Sequence, residues 1–138
     1  MFNYFLKDRS LNQSYFEILG QDQINSLVDN FYEIMESDPK AKECFELHEI
    51  FEGRVHTESK EKLKAFLTGW MGGPNLFVER YGPPRMRVRH LHIRIDEQAK
   101  EQWLYCMEKS MKKTNLYKKE KKKLMNSFLA LAMRIRNA

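Results

Sequence analysis

One stretch of the sequence decides the fold class: RMRVRHLHIRI, residues 85–95. Basic and apolar residues alternate along it, and a period of two is typical of a β-strand with one buried face. The patterns elsewhere are helical, however, and a lone strand has no partner with which to pair. We therefore predict an irregular or short-helical segment at 85–95 and an all-α fold. The same stretch leaves two functions open, because it is either a basic surface for a polyanion or the carrier of a histidine with a specific role.

Helices are predicted on both sides of this stretch, from apolar residues that recur at i, i+3, i+4 and i+7. A short helix begins after Ser14, which caps it, and ends at Gly20. Asp96 is a good N-cap for the helix at about 97–112. The two glycines and the proline of GGP at 72–74 stop the third helix. Residues 40–57 mix charged and apolar residues, which predicts a short helical turn and a loop. The predicted helices span about 15–19, 22–38, 58–71, 97–112 and 118–136.

Length and composition indicate one globular domain. The chain has 138 residues, and 42% of them are hydrophobic, which is enough for a core and argues against general disorder. We take 1–138 as a single domain, with 1–13 as an N-terminal extension. The apolar run at the start is too short for a signal peptide, and no run approaches the ~20 apolar residues that span a bilayer. We therefore expect a cytoplasmic protein without a membrane partner.

Common catalytic and metal-binding motifs are absent from the sequence. The two cysteines, Cys44 and Cys106, form no CxxC pair, which argues against a disulfide scaffold and against structural zinc. There is also no HExxH, P-loop, GxGxxG or GxSxG motif. No catalytic residue is therefore predicted, and whether the protein is an enzyme stays open.

Positive charge is concentrated in one short region. The net charge is +5, and seven lysines lie within residues 112–123. Such a run is either a solvated helix start or a site for a polyanion. No RNP, KH or zinc-finger pattern accompanies it, so nucleic acid is not the partner that we expect. The alternative function is nevertheless a basic helical module that binds nucleic acid or another acidic partner, through 112–123 and the arginines of 85–94.

Two aromatic residues and two of the four histidines are candidates for a binding site. Tyr32 and Trp103 each carry one polar atom on a large apolar body, and such an atom seeks a hydrogen-bond partner when it is buried. Taken singly, each fits an ordinary core residue better than a binding site. A haem needs only one axial histidine, because the porphyrin supplies four nitrogens, so His90 or His92 is a candidate ligand without any histidine cluster. The four histidines are His48, His56, His90 and His92.

Four short motifs follow one another in an order and spacing that resemble the group II truncated haemoglobins. They are FY at 31–32, GGP at 72–74, RVRH at 87–90 and WLYCM at 103–107. The resemblance covers about residues 14–135. It implies a truncated globin fold, which is a 2-on-2 helical sandwich around haem b, and reversible binding of dioxygen and other diatomic ligands.

The resemblance also implies roles for single residues. His90, the histidine of the third motif, is the expected proximal ligand of the haem iron, whereas His92 lies where the family often has proline. Tyr32 is the expected distal hydrogen-bond donor to dioxygen, and the indole N–H of Trp103 is a second donor. Many relatives have a polar residue where this chain has Leu63, so these two donors are expected to supply most of the hydrogen bonding.

Further pocket residues follow from the same resemblance. Phe45 is expected to pack against the haem edge. Ser59 and Leu63, one turn apart on the distal helix, are expected to face the pocket, and Phe66 is expected to contact the haem. Basic residues are expected at the haem propionates, because ion pairs with carboxylates are favourable there. These basic residues are Lys62, Arg87 and Arg89.

Two donors imply slow release of dioxygen. Slow release suits sensing, scavenging or redox chemistry with nitric oxide or peroxide better than it suits transport. Redox chemistry implies a reductase as a partner, and the sequence does not identify that reductase. The oligomeric state is open, and a homodimer is one candidate.

Overall fold

A computed structural model of the chain describes residues 13–138. The predicted N-terminal extension, apart from Gln13, lies outside the described residues. The helices are α1 (Tyr15–Ser37), α2 (Lys42–Glu46), α3 (Thr57–Trp70), α4 (Leu76–Tyr81), α5 (Met86–His90), α6 (Glu97–Met111) and α7 (Lys118–Ile135). The two short strands are β1 (Ile50–Phe51) and β2 (Arg54–Val55), and a 3-10 turn at Pro39–Ala41 joins α1 to α2. The all-α prediction is confirmed.

The four long helices form two layers around the core. Helix α1 packs against α3 and α6, and α6 packs against α7. Each helix turns one apolar face inward, so that Phe31, Leu67, Met107 and Phe128 are completely buried. Burial of such a side chain contributes about 1.5–3 kcal/mol. The two pairs, α1 with α3 and α6 with α7, form the predicted 2-on-2 arrangement.

Helix α1 bends at Gly20, where the sequence predicts a break. Its first turn is closed by a capping box, in which Ser14 Oγ accepts from the Glu17 N–H and the Glu17 carboxylate accepts from the Ser14 N–H, both at 3.1 Å. Gly20 has φ +75°, a conformation that strains any residue with a Cβ. Regular helix resumes after it, so the two predicted helices form one bent element.

The end of α3 lies directly against the start of α1, and the glycines make this approach possible. A Cβ on Gly72 would lie 2.6 Å from the Ser14 Cβ, and a Cβ on Gly73 would lie 2.5 Å from the Phe16 ring. The N–H of Phe16 donates to the carbonyl of Met71 at 2.9 Å across the same contact. The GGP motif therefore stops α3, as predicted, and also fixes its position against α1.

The stretch at 85–95 is not a strand. Residues Met86–His90 form α5, and residues 91–96 are irregular. The backbone of Ile95 pairs with Asn137: its N–H donates to Asn137 Oδ1 at 2.9 Å, and its carbonyl accepts from the Asn137 N–H at 3.0 Å. The prediction of a short-helical or irregular segment is confirmed, and the C-terminal residues supply the partners that a neighbouring strand would have supplied.

The prediction for residues 40–57 is correct for the helical turn and wrong for the loop. Strands β1 and β2 form an antiparallel hairpin in which Ile50 lies opposite Val55. Its two turn residues, Glu52 and Gly53, both have positive φ, as a tight two-residue hairpin turn requires. Val55 is buried, and its N–H donates to Glu36 on α1 at 2.8 Å. The hairpin is thus anchored to the helix that carries Tyr32.

The outer surface carries the lysine-rich stretch. Of its seven lysines, all except Lys121 are exposed, as a solvated helix start predicts. Within residues 13–138, none of the helices is long and apolar enough to cross a membrane.

Candidate functional site

His90 is the last residue of α5, and one hydrogen bond fixes its imidazole. Its Nδ1 lies 2.5 Å from the carbonyl oxygen of Met86 in the preceding turn. A carbonyl only accepts, so Nδ1 carries a hydrogen, and in the neutral ring Nε2 then keeps a lone pair. Histidines that bind metals usually have this second hydrogen bond, because it fixes the tautomer and the ring orientation. The structure therefore presents His90 in the form that an axial ligand needs.

The C-terminal residues hold the segment that carries His90. The amide nitrogen of Asn137 donates to the carbonyls of His90 at 3.2 Å and of Ile93 at 2.8 Å. Its amide oxygen accepts from the Ile95 N–H at 2.9 Å. One side chain thus forms hydrogen bonds with three backbone groups of an irregular segment, which lacks the regular backbone hydrogen bonds of a helix or a sheet.

Tyr32 lies on α1 with its ring almost completely buried. The ring packs edge-on against Phe31, with centroids 5.0 Å apart, and against His48, with centroids 5.8 Å apart. Burial raises the pKa of Tyr32, and nearby Cys44 and Glu36 raise it further. Its hydroxyl therefore stays protonated at neutral pH and remains a hydrogen-bond donor.

Trp103 on α6 lies near Tyr32, because both rings pack against Phe31. The Phe31 ring lies 5.2 Å from the Trp103 ring, and it also contacts Tyr32. Phe128 packs against Trp103 from α7, with centroids 5.7 Å apart. Within residues 13–138, neither the Tyr32 hydroxyl nor the Trp103 indole N–H has a hydrogen-bond partner. The structure thus places two unpaired donors on neighbouring helices around one shared phenylalanine.

The remaining predicted apolar pocket residues lie on α2 and α3. Phe45, Leu63 and Phe66 are partly buried and pack against the core that contains Tyr32. Ser59 is half-buried one turn before Leu63. That these four residues line a haem pocket stays a prediction.

Lys62 and Arg89 were predicted at propionates, and each has a protein partner in the structure. The Lys62 Nζ lies 3.6 Å from the Glu58 carboxylate and 5.4 Å from the centre of the Tyr81 ring. The Arg89 guanidinium donates to the carbonyls of Tyr81 and Pro83, both at 2.9 Å. Arg89 therefore joins α5 to the end of α4, and its role at a propionate stays a prediction.

Arg87 joins α5 to the end of α7. One nitrogen of its guanidinium donates to the carbonyls of Arg134 and Arg136, both at 3.0 Å. These carbonyls belong to the last turn of α7 and to the residue after it, where no N–H of the same helix is available to donate to them. Arg87 thus caps α7, a role that the sequence did not predict, and its contact with a propionate also stays a prediction.

Comparison with known proteins shows the family. A family model of the bacterial-like globins matches residues 14–137. The chain belongs to this family. It is 39% identical over 103 residues to the group 2 truncated hemoglobin YjbI of Bacillus subtilis, and the match covers 75% of this chain and 72% of that protein.

Solved structures place the chain among the truncated globins. The cold-adapted truncated hemoglobin of the Antarctic marine bacterium Pseudoalteromonas haloplanktis TAC125 superposes with a TM-score of 0.85 at 32% identity, covering 91% of this chain and 99% of that chain. The truncated oxygen-avid haemoglobin from Bacillus subtilis gives a TM-score of 0.76 at 33% identity, covering 91% and 100%. The resemblance to group II and the 2-on-2 globin fold are confirmed. Globins bind haem and, through its iron, dioxygen and other diatomic ligands, and this is the function class of the chain.

The donor set of this globin fits a haem. Within the described range 13–138, no three His, Cys, Asp or Glu side chains come together as they would to hold a metal ion. The site instead offers the imidazole of His90, together with the Tyr32 hydroxyl and the Trp103 indole N–H, which have no hydrogen-bond partner within residues 13–138. A single protein ligand suffices for haem iron, because the porphyrin supplies the other four nitrogens.

Sequence reasoning missed two residues of this globin site. Asn137 holds the segment of His90, and His48 packs against Tyr32. Both make their side-chain hydrogen bonds with backbone groups, which every residue carries, so no side-chain pattern could have pointed to either one.

Proposed function

We propose that His90 is the proximal ligand of a haem b and that Tyr32 and Trp103 stabilise dioxygen on the opposite side. The observation that carries this proposal is the pair of unpaired donors around Phe31, together with a histidine whose Nε2 is free. Haem, when bound, supplies an iron with an open position for a diatomic ligand. The protein supplies the axial nitrogen and the polar groups around that position.

The two donors act on the partial negative charge of the dioxygen ligand. Hydrogen bonds to charged groups contribute about 1.5–3 kcal/mol each. Since about 1.4 kcal/mol corresponds to a factor of ten, two donors slow dissociation by roughly two orders of magnitude or more. The donors are preorganised by packing, so little free energy is spent on orienting them.

Slow release favours sensing, scavenging or redox chemistry with nitric oxide or peroxide over transport. The description of the Bacillus subtilis relative as oxygen-avid supports tight binding in this chain as well. The partners that we propose are a diatomic ligand and a reductase that keeps the site reduced in the cytoplasm.

The proposed axial ligand is tested by hemin titration of the wild type, His90→Ala and His92→Ala. His92 is the matched control, because it is exposed and lies two residues away. We expect a globin-like Soret band in the wild type and in His92→Ala, and its loss or shift in His90→Ala. Added imidazole is expected to restore the band in His90→Ala by replacing the missing ring. A wild-type protein that fails to bind hemin, or an unchanged band in His90→Ala, would contradict the proposal.

A further inference from the structure

We propose that His48 is a second axial ligand, which occupies the haem position opposite His90 when no external ligand is bound. The inference rests on the proposed haem site at His90 and adds a second protein ligand to it. It makes the binding of dioxygen a competition with a residue of the chain itself.

The first argument is that His48 and His90 have the same hydrogen bond. Nδ1 of His48 lies 2.8 Å from the carbonyl oxygen of Cys44, four residues earlier, as Nδ1 of His90 lies near the carbonyl of Met86. In both rings Nδ1 therefore carries the hydrogen, and Nε2 has a free lone pair. This is the arrangement found in metal-binding histidines.

The other two histidines lack this arrangement. Nδ1 of His56 accepts a hydrogen bond from the Glu58 N–H at 3.1 Å, so in the neutral ring the hydrogen is on Nε2. His92 is exposed. Of the four histidines, only His48 and His90 are thus both shielded and prepared to bind a metal through Nε2.

The second argument is the position of His48 beside Tyr32. The two rings are nearly perpendicular, at 86°, with centroids 5.8 Å apart. Tyr32 belongs to the distal side in the proposed function, so His48 belongs to the wall opposite His90. His48 also follows Phe45 by one helical turn, with its N–H donating to the Phe45 carbonyl at 3.0 Å, and Phe45 is predicted to pack against the haem edge.

The consequence is a reduced apparent affinity for external ligands. A protein whose binding-competent state is only partly populated binds more weakly in proportion to that fraction. His48 lies in the short connection between α2 and β1, so its departure requires movement of only a few residues. The hairpin beyond it is anchored to α1 by Val55 and Glu36.

The experiment uses the full chain loaded with hemin, reduced with dithionite and kept free of oxygen. We expect the split visible bands of six-coordinate, low-spin haem in the wild type. His48→Ala, and the more conservative His48→Gln, are expected to show the single broad band of five-coordinate haem. His56→Ala is the matched control and is expected to retain the wild-type spectrum.

A kinetic measurement on the wild type keeps the test independent of how well the variants fold. The rate of carbon monoxide binding is expected to level off at high carbon monoxide concentration, because departure of His48 then limits it. In His48→Ala the rate is expected to stay proportional to concentration. If the open state makes up about 10% or less of the protein, the rate at low carbon monoxide rises about tenfold or more in the variant.

The outcomes separate this inference from the proposed function. A wild type that binds hemin and carbon monoxide but is five-coordinate when reduced overturns the role of His48 alone. A six-coordinate spectrum that persists in His48→Ala, or that is lost in Tyr32→Phe instead, also overturns it. A protein that takes up no hemin overturns the proposed function and, with it, this inference.

Discussion

The chemistry of the proposed haem site depends on which atoms of His90, His48 and Tyr32 carry hydrogen. His90 and His48 each donate from Nδ1 to a backbone carbonyl, which leaves Nε2 free in both rings. The hydroxyl of Tyr32 is kept protonated by burial. In the proposed site, the two histidines would offer lone pairs to the iron, and Tyr32 and Trp103 would offer donors to its ligand.

Trp103→Phe tests the second donor without removing the ring. Phenylalanine retains packing against Phe31 and Phe128 but has no N–H. We expect dioxygen to dissociate about tenfold faster or more, which corresponds to the loss of about 1.5 kcal/mol or more. Stopped-flow measurement of the dissociation rate checks this. Trp70→Phe is the control, since Trp70 also packs against Phe128, and an equal effect of both substitutions would contradict the role given to Trp103.

At the residue scale, the sequence suggests candidate donors and ligands, but it does not show which residues hold them in place. Tyr32, His90 and Trp103 stand in motifs of distinctive composition. Arg87 stands in the same motif as His90, but its partners are carbonyls 47 and 49 residues further along the chain. Every residue has a backbone carbonyl, so residue types do not show which carbonyls accept a side-chain hydrogen bond. The capping of α7 by Arg87 could therefore not be predicted.

Helix α5 shows how an element too short to be stable alone is held in place. It has five residues, and isolated helices of that length do not persist in water. Arg87 joins it to α7, Arg89 joins it to the end of α4, and Asn137 holds the residues that follow it. The position of His90 is therefore set by the C-terminal end of the chain as much as by α5.

Asn137→Ala tests this dependence. The substitution removes three side-chain hydrogen bonds, each of which contributes about 0.5–1.5 kcal/mol net. We expect faster loss of hemin to a haem-accepting apoprotein and faster amide hydrogen exchange in residues 90–95. Asn126→Ala, at an exposed position on α7, is the control and is expected to change neither rate. Equal rates in the wild type and Asn137→Ala would show that the C-terminal residues do not support the proximal segment.

At the element scale, the bounds of a helix are predicted closely where the sequence contains a clear capping residue or helix stop. Helices α3, α6 and α7 lie within one residue of their predicted ranges, since Asp96 caps α6 and GGP stops α3. The hairpin was missed because two-residue strands are too short to show any periodicity. The only local signal is the Glu52-Gly53 turn, which is weak without longer flanking strands.

At the scale of the whole molecule, the packing of the core requires the helices to approach one another closely. The core side chains of α1, α3, α6 and α7 interlock, and Gly72 and Gly73 allow the end of α3 to meet the start of α1. The 2-on-2 fold could be predicted because four motifs keep their order and spacing along the chain. The close contact at Gly73 could not, because the sequence does not show that Phe16 is its neighbour.

Gly73→Ala tests this contact. The added Cβ would lie 2.5 Å from the Phe16 ring, so the ring or the backbone must move. We expect a loss of about 1–3 kcal/mol in the free energy of unfolding, measured by urea denaturation. The same substitution is expected to cost less in a Phe16→Ala background, because the obstructing ring is gone. An equal cost in both backgrounds would contradict the proposed clash.

The most direct test of the central claim is the dioxygen dissociation rate of the hemin-loaded, reduced protein and of its Tyr32→Phe variant. Phenylalanine keeps the edge-on packing with Phe31 and removes only the hydroxyl. Loss of one hydrogen bond to a charged ligand, about 1.5–3 kcal/mol, predicts a rate at least about tenfold higher in the variant. An unchanged rate would contradict the assignment of Tyr32 as the distal donor.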